Sequence, residues 1–199
     1  RHHRPGESHA RRLWRHPVIH PTAIVHPSAL VDSTAEIGPY SVIGANVVIG
    51  AHVRVWAFVN ILADVQIGDW CSIGAHSEIG RGTTIGTKSR IGYGCFLPSH
   101  ATIGKWVFIG PAVSCADDMT PRVPGPCDPH YTPLPPTFED GCSVGIGCVL
   151  LPGIKIGLGA RVAAGSLVTT NVTPGGKVRG VGTSAKPFQP SARAMAGGW

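Results

Sequence analysis

The chain is 199 residues long, carries a formal charge of +6, and is 43% hydrophobic but only 14% charged, which excludes a solvated disordered polymer. Its 27 glycines and 18 prolines exclude an ordinary helical bundle, because both residues break helices, and no apolar run reaches the roughly 18 residues of a membrane span. What remains is one turn-rich, mostly β domain.

Residues 1–16 are predicted to be a flexible leader. Five arginines stand among the first fifteen residues against one acid, Glu7. Such a run reads as a solvated arm, whereas a nucleic-acid surface needs a basic patch on a folded face; neither nucleic acid nor membrane is an expected partner. No signal-peptide apolar core stands in it.

From Ile19 a period of six takes over. Ile19, Val25, Val31, Ile37 and every sixth residue to Ile109 are Ile, Val or Leu, and Gly follows ten of these sixteen anchors. Four residues after each anchor stands a small or slim residue, as in Ala23, Ala35, Ser41, Cys71, Ser77 and Cys95. This period matches neither a helical stripe nor a free-standing alternating strand. It fits a short strand and a turn, three times per coil of a triangular solenoid, with anchor and small residue both pointing inward. The period breaks at a loop, residues 115–137, and such long excursions are usually functional. It resumes with Phe138, Val144, Leu150, Ile156, Val162 and Val168. The twenty-two hexads predict an all-β, parallel β-helix of about seven coils over residues 17–182, followed by a tail, 183–199. Cys71, Cys95, Cys142 and Cys148 fall in the small inward slot and read as compact core residues; Cys115 and Cys127, at the loop, stay unassigned. Free buried thiols fit a reducing compartment, so the cytoplasm is expected.

In this geometry residues eighteen apart stack roughly 4.8 Å from one another. His52, His76 and His100 recur every twenty-four residues, so they fall on different faces and do not form a metal triad; no metal is expected. Asp64, Gly82, His100 and Asp118 form one outward column if the coil continues past Cys115. His100 would then be a general base whose tautomer Asp118 fixes. His52, Trp70, Lys88 and Trp106 form another column, read as a subunit interface.

These hexads resemble the hexapeptide-repeat acyltransferases over about residues 17–182. The resemblance implies a left-handed coil, against the usual crossover hand, a homotrimer, and acetyl-CoA as acyl donor. Asp117-Asp118-Met119-Thr120-Pro121-Arg122 resembles the Asn-Asp-x-x-Pro-Arg segment of nucleotide-amino-sugar N-acetyltransferases, as does Val55-Trp56-Ala57-Phe58-Val59-Asn60 upstream. On that resemblance Asp117 and Arg122 shape the acceptor site together with Trp56, Asn60 and Tyr93, the last standing beside Gly94 where that branch often has Asn. The galactoside and maltose O-acetyltransferases carry a catalytic His where this chain has Thr120, which weighs against hydroxyl acetylation. The terminal block, from Leu151-Pro152-Gly153 through Val162–Thr169 to Val178–Val181, resembles the family's coenzyme A end. There Ala164 and Gly165 would let the pantetheine arm lie against the coil and Arg179 and Lys186 would meet the phosphates, with Ile146 and Gly147 just upstream as further cofactor-binding residues. The family's usual ending is replaced by Gly180-Val181-Gly182-Thr183. The γ-class carbonic anhydrases share the fold, but their closely spaced His pair has no match in residues 50–150.

The predicted function is acetyl transfer from acetyl-CoA to the amine of a nucleotide-linked amino sugar. His100 takes the proton, or merely positions an amine that arrives neutral, and backbone N–H groups steady the oxyanion. An O-acetyltransferase, a zinc lyase and a non-catalytic scaffold remain as alternatives.

Overall fold

The computed structural model describes residues 19–121 and 132–180. Among them every regular element is a two-residue strand, and the strands stack into three parallel sheets of eight, seven and eight. The first sheet begins with Ile24–Val25 and ends with Leu167–Val168, the second runs from Leu30–Val31 to Lys155–Ile156, and the third from Glu36–Ile37 to Lys177–Val178. Partners lie eighteen residues apart, as in Ile37↔Val55 and Val55↔Ile73. The chain is therefore a triangular spool climbing one rung per eighteen residues. No helix among the described residues is long and apolar enough to cross a membrane.

The spool has about eight coils, one more than expected. Three hexads escaped the sequence pattern. Cys115 fills an anchor slot in Ser114–Cys115 and is buried; Val178 sits in the last strand, and Val172 bridges Ile156. The last coil hides them because Arg161 pairs with Lys177, sixteen residues on rather than eighteen. At the excursion Thr102 pairs with Thr137, thirty-five residues on, so one coil carries seventeen extra residues.

The interior follows from volume and polarity. Anchors such as Ile43, Ile61, Ile73 and Leu150 are at most 1% exposed. In the small slot, hydroxyls and thiols beat alanine where a corner carbonyl needs a donor. Ser41 donates to the Trp56 carbonyl at 2.7 Å, Ser77 to Gly92 at 2.9 Å, Ser89 to Gly104 at 2.8 Å, and Cys95 to Gly110 at 3.1 Å. Glycine follows an anchor because the next coil's corner passes close: a Cβ on Gly38 would lie 2.7 Å from the Trp56 carbonyl carbon.

At each corner one residue turns through the left-handed region, and from Tyr40 to Ala112 eleven of these are not glycine. Each costs on the order of 1–2 kcal/mol, and rung-to-rung contacts offset it. Tyr40 stacks on Phe58 at 5.1 Å, Phe58 on His76 at 4.9 Å, and His52 packs on Trp70 at 4.1 Å. The first coil closes the top. The hydroxyls of Thr22, Ser28 and Thr34 accept the corner N–H groups of Tyr40, Asn46 and His52 at 3.1, 2.9 and 2.8 Å. Lower corner N–H groups find a carbonyl of the coil above, as Phe58 does with Pro39 at 3.0 Å.

Candidate functional site

His100 stands at the corner between the first and second sheets, φ 63°, and its N–H donates to the Arg81 carbonyl at 2.7 Å. Its imidazole lies over Gly82, where a Cβ would come 2.6 Å from Nδ1. The bare glycine lets the ring reach toward Asp64, one rung further up. Asp64 is a fixed anion: Asn46 Nδ2 donates to Oδ1 at 3.0 Å, and Arg81 holds Oδ2 at 2.9 Å through Nε and 2.8 Å through Nη2. The Asn46 hydrogen bond first, then Arg81, and last the His100 charge hold its carboxyl below the usual range.

The upper three members of the predicted column are thus stacked as expected, but the fourth is not Asp118. The chain leaves the coil at Asp117, whose carbonyl accepts the Leu134 N–H at 2.7 Å, and the Thr102 N–H donates to the Pro136 carbonyl at 3.1 Å. In strand register the rung below His100 is therefore Pro135. The Asp118 carboxylate instead accepts the Thr120 N–H at 2.8 Å. Among the described residues no hydrogen bond or ion pair joins His100 to Asp118. The seventeen-residue insertion is the cause, and the acid facing His100 is Asp64.

The other candidates gather at a different corner, between the third and first sheets. Tyr93 precedes the corner glycine Gly94, and its carbonyl accepts the Ala112 N–H at 2.7 Å. Trp56 enters the same corner two rungs above and donates from Nε1 to Ser72 Oγ at 3.3 Å, while Asn60 leaves it in the first sheet, paired with Glu78. Below them the corner slots themselves hold only small residues, Gly94, Ala112, Gly147 and Gly165 in succession, with the side chains of Tyr93 and Ile146 exposed beside them. Gly147 donates to Pro111 at 2.8 Å and Gly165 to Ile146 at 2.8 Å, which stacks Ile146-Gly147 directly on Ala164-Gly165. A Cβ on Gly147 or Gly165 would meet nothing within 4 Å, so the edge has room for a slender chain along the coil. Arg179 closes it. Arg161 and Lys177, register partners on the third sheet, join Arg179 in a basic patch. Desolvation first, then the charges of Arg161 and Arg179, hold the Lys177 ammonium below the ordinary lysine range. The sequence pattern singled out neither Arg161 nor Lys177, because the short last coil breaks the eighteen-residue spacing. Arg122 and Lys186 lie outside the described residues. His52, His76 and His100 occupy three different corners, as the register requires.

The structure thus divides the candidates into two groups on either side of the first sheet, His100 with Asp64 on one corner and the glycine-lined edge with its basic patch on the other. Comparison with known proteins adds names to this arrangement. Residues 19–118 match the family model described as the GMPPB C-terminal domain, and residues 137–170 match the hexapeptide repeat of succinyl-transferase, so the two matches flank the excursion. A Schizosaccharomyces pombe protein named as an acetyltransferase is 33% identical over 93 residues, 44% of this chain and 42% of that protein. A 2,3,4,5-tetrahydropyridine-2,6-dicarboxylate N-acetyltransferase of Staphylococcus aureus is 36% identical over 85 residues, 43% of this chain and 31% of that enzyme. The chain spans less than half the length of these curated relatives. Among solved structures, that of the polySia specific acetyltransferase NeuO shares the fold, with a TM-score of 0.52 at 19% identity over 84% of this chain and 81% of that one. With its model covering half of the chain, the GMPPB C-terminal domain is the family to which the chain belongs, and with the hexapeptide-repeat match beyond the excursion and the acetyltransferase relative this places it among the hexapeptide-repeat acyltransferases, whose left-handed parallel β-helix its spool is.

Proposed function

We propose that the chain is an acyl-CoA-dependent acyltransferase that moves an acetyl group onto the amine of a nucleotide-linked amino sugar. The observation that carries this reading is the pairing, on one spool, of an outward imidazole facing a fixed carboxylate with a glycine-lined edge that ends in three cations. The named N-acetyltransferase relative supports the amine over a hydroxyl.

Acetyl-CoA supplies the thioester carbonyl. The bare edge at Gly147 and Gly165 accommodates the pantetheine arm, and Arg161, Lys177 and Arg179 hold phosphate charge. The acceptor nitrogen forms the new N–C bond as the C–S bond breaks; His100 takes the amine proton, and Asp64, two rungs above, stabilises the imidazolium. Asp117, Trp56, Asn60 and Tyr93, with Arg122, shape the acceptor pocket. His100 and the glycine edge sit on different corners, so the site is completed by a second copy of the chain, the His100 corner of one subunit meeting the glycine edge of the next in a homotrimer.

The test is release of free thiol from acetyl-CoA against a panel of nucleotide-linked amino sugars and their hydroxyl counterparts. Amine-dependent release supports the proposal. Release with hydroxyl acceptors alone makes the protein an O-acetyltransferase, and no release with any acceptor, together with no coenzyme A binding, makes it a scaffold.

A further inference from the structure

On the third sheet, away from His100, the outward residues Glu36, Arg54, Ser72 and Arg90 form a column of direct register partners. They line a cleft of about 490 Å³, within the roughly 300–1,000 Å³ of small-molecule sites. Two indoles wall it. Trp70 rises from its corner, 59% exposed, with the His52 ring behind it at 4.1 Å. Trp56 stands opposite, 42% exposed, its ring fixed by the hydrogen bond from Nε1 to Ser72. The rungs on either side of Trp56 carry Gly38 and Gly74, and the Arg54 guanidinium lies 5.8 Å from the centre of its ring, so the indole meets the cleft beside a cation rather than beneath another bulky side chain.

The charges in the cleft are not balanced. Arg54 clamps both oxygens of Glu36, Nε to Oε2 at 2.8 Å and Nη2 to Oε1 at 3.1 Å. That leaves Arg90, whose guanidinium makes no hydrogen bond or ion pair with any described residue. An apolar ligand would leave this charge unanswered, and a bare inorganic anion would leave the indoles unused. The ligand that uses both has a flat ring and a strong anion a few ångströms apart; base–aromatic stacking and guanidinium–phosphate pairing are the matching interactions. Glu36 to Arg90 is three rungs, roughly 14 Å, the reach of one nucleotide.

We propose that this cleft binds a nucleoside phosphate, the base between Trp56 and Trp70 and the phosphate on Arg90. Trp56 is the one residue shared with the acceptor pocket proposed above; the binding is otherwise independent of acetyl transfer and is measured without it. The experiment is titration of the full chain with GMP, UMP, guanosine and inorganic phosphate, followed by calorimetry and tryptophan fluorescence. Either nucleotide binds saturably, and guanosine or phosphate alone binds at least about tenfold more weakly. Arg90→Gln lowers nucleotide affinity about tenfold, as expected for losing one charge-assisted hydrogen-bond pair, with an unchanged melting temperature because the side chain is exposed. Trp70→Leu weakens binding in the same direction, and Lys105→Gln, outside the cleft, changes nothing. The proposal is overturned by affinity that survives Arg90→Gln, by guanosine binding as tightly as GMP, or by no saturable binding at millimolar nucleotide. The last outcome includes the case in which association of a second copy covers the cleft.

Discussion

Gly82→Ala and Gly141→Ala form a matched pair that isolates the role of His100. Both glycines hold φ at +67°, so an alanine at either costs on the order of 1–2 kcal/mol of backbone energy. For a chain of this size that lowers the melting temperature by roughly 2–8 °C. The surroundings differ. A Cβ at Gly141 meets nothing within 4 Å, whereas one at Gly82 would lie 2.6 Å from His100 Nδ1 and 2.9 Å from Cε1. The backbone stays and the imidazole must rotate away, at about 0.5–1.5 kcal/mol if it leaves its rotamer well. The two variants therefore melt within a few degrees of each other, but only Gly82→Ala turns the ring away from Asp64. NMR of the His100 ring reads this directly: its resonances move in Gly82→Ala and stay in place in Gly141→Ala. Thiol release from acetyl-CoA should fall in the first and hold in the second. Ring resonances that superimpose in both variants would refute the placement of His100 over Gly82.

His100→Ala should reduce turnover by about 10²–10⁴, the usual contribution of a general base, while the melting curve stays in place; Asp64→Asn should do the same more weakly and shift the pH–rate profile, whereas Asp118→Asn should leave that profile where it is. Ile73→Ala, at a side chain with 0% exposure, should cost about 2–5 kcal/mol in urea unfolding. Stability should also depend on acid. The carboxyls of Asp64, held low chiefly by Asn46 and Arg81, and of Glu139, held low chiefly by Lys155, contribute above their unfolded value near pH 4 and lose that contribution as pH falls through their lowered folded values. Melting temperature should then be flat from neutrality to about pH 4 and fall below it, less steeply in Asp64→Asn. Finally, burial pushes the Cys142 thiol up to about 12 and Cys115 higher still, so the five described cysteines, all buried and free, should ignore a disulfide reagent until the protein unfolds.

Most of the fold was legible because the prism demands the same residue at the same step. Ile37, Ile73 and Ile103, each at most 2% exposed, stand at a step where the triangle admits only an apolar side chain. Legibility failed where the step changed. Cys115 satisfied the anchor slot with a residue the aliphatic pattern did not admit, and the last coil dropped two residues, hiding Val172, Val178 and the Arg161–Lys177 pair. The site was legible in its parts and misread in one junction. Counting by eighteen found Asp64, Gly82 and His100 correctly, then carried the count across Cys115 into the excursion, where Pro135 rather than Asp118 takes the next rung. A strand period reports where the backbone returns and carries no information about where an insertion leaves it.

The corner slots show which side chains the fold needs and which it only tolerates. A left-handed non-glycine residue costs energy at every corner, and most of those here have a visible return: Tyr40, Phe58 and His76 stack in series, His52 lies against Trp70, Lys88 sits 4.4 Å over Trp106, and Asn46 bonds Asp64. His100 has none of this. The rung above it is Gly82, the rung below in register is Pro135, and no hydrogen bond joins its ring to a described residue. Glycine at position 100 would remove the backbone cost and give up only the ring's seat over Gly82 and its charge opposite Asp64. A bulky residue held in a disfavoured conformation without a packing return is the kind of outlier from which function is inferred. Here what it gains is a clear line to a fixed carboxylate on one side and to solvent on the other, which is what proton transfer to an incoming substrate requires.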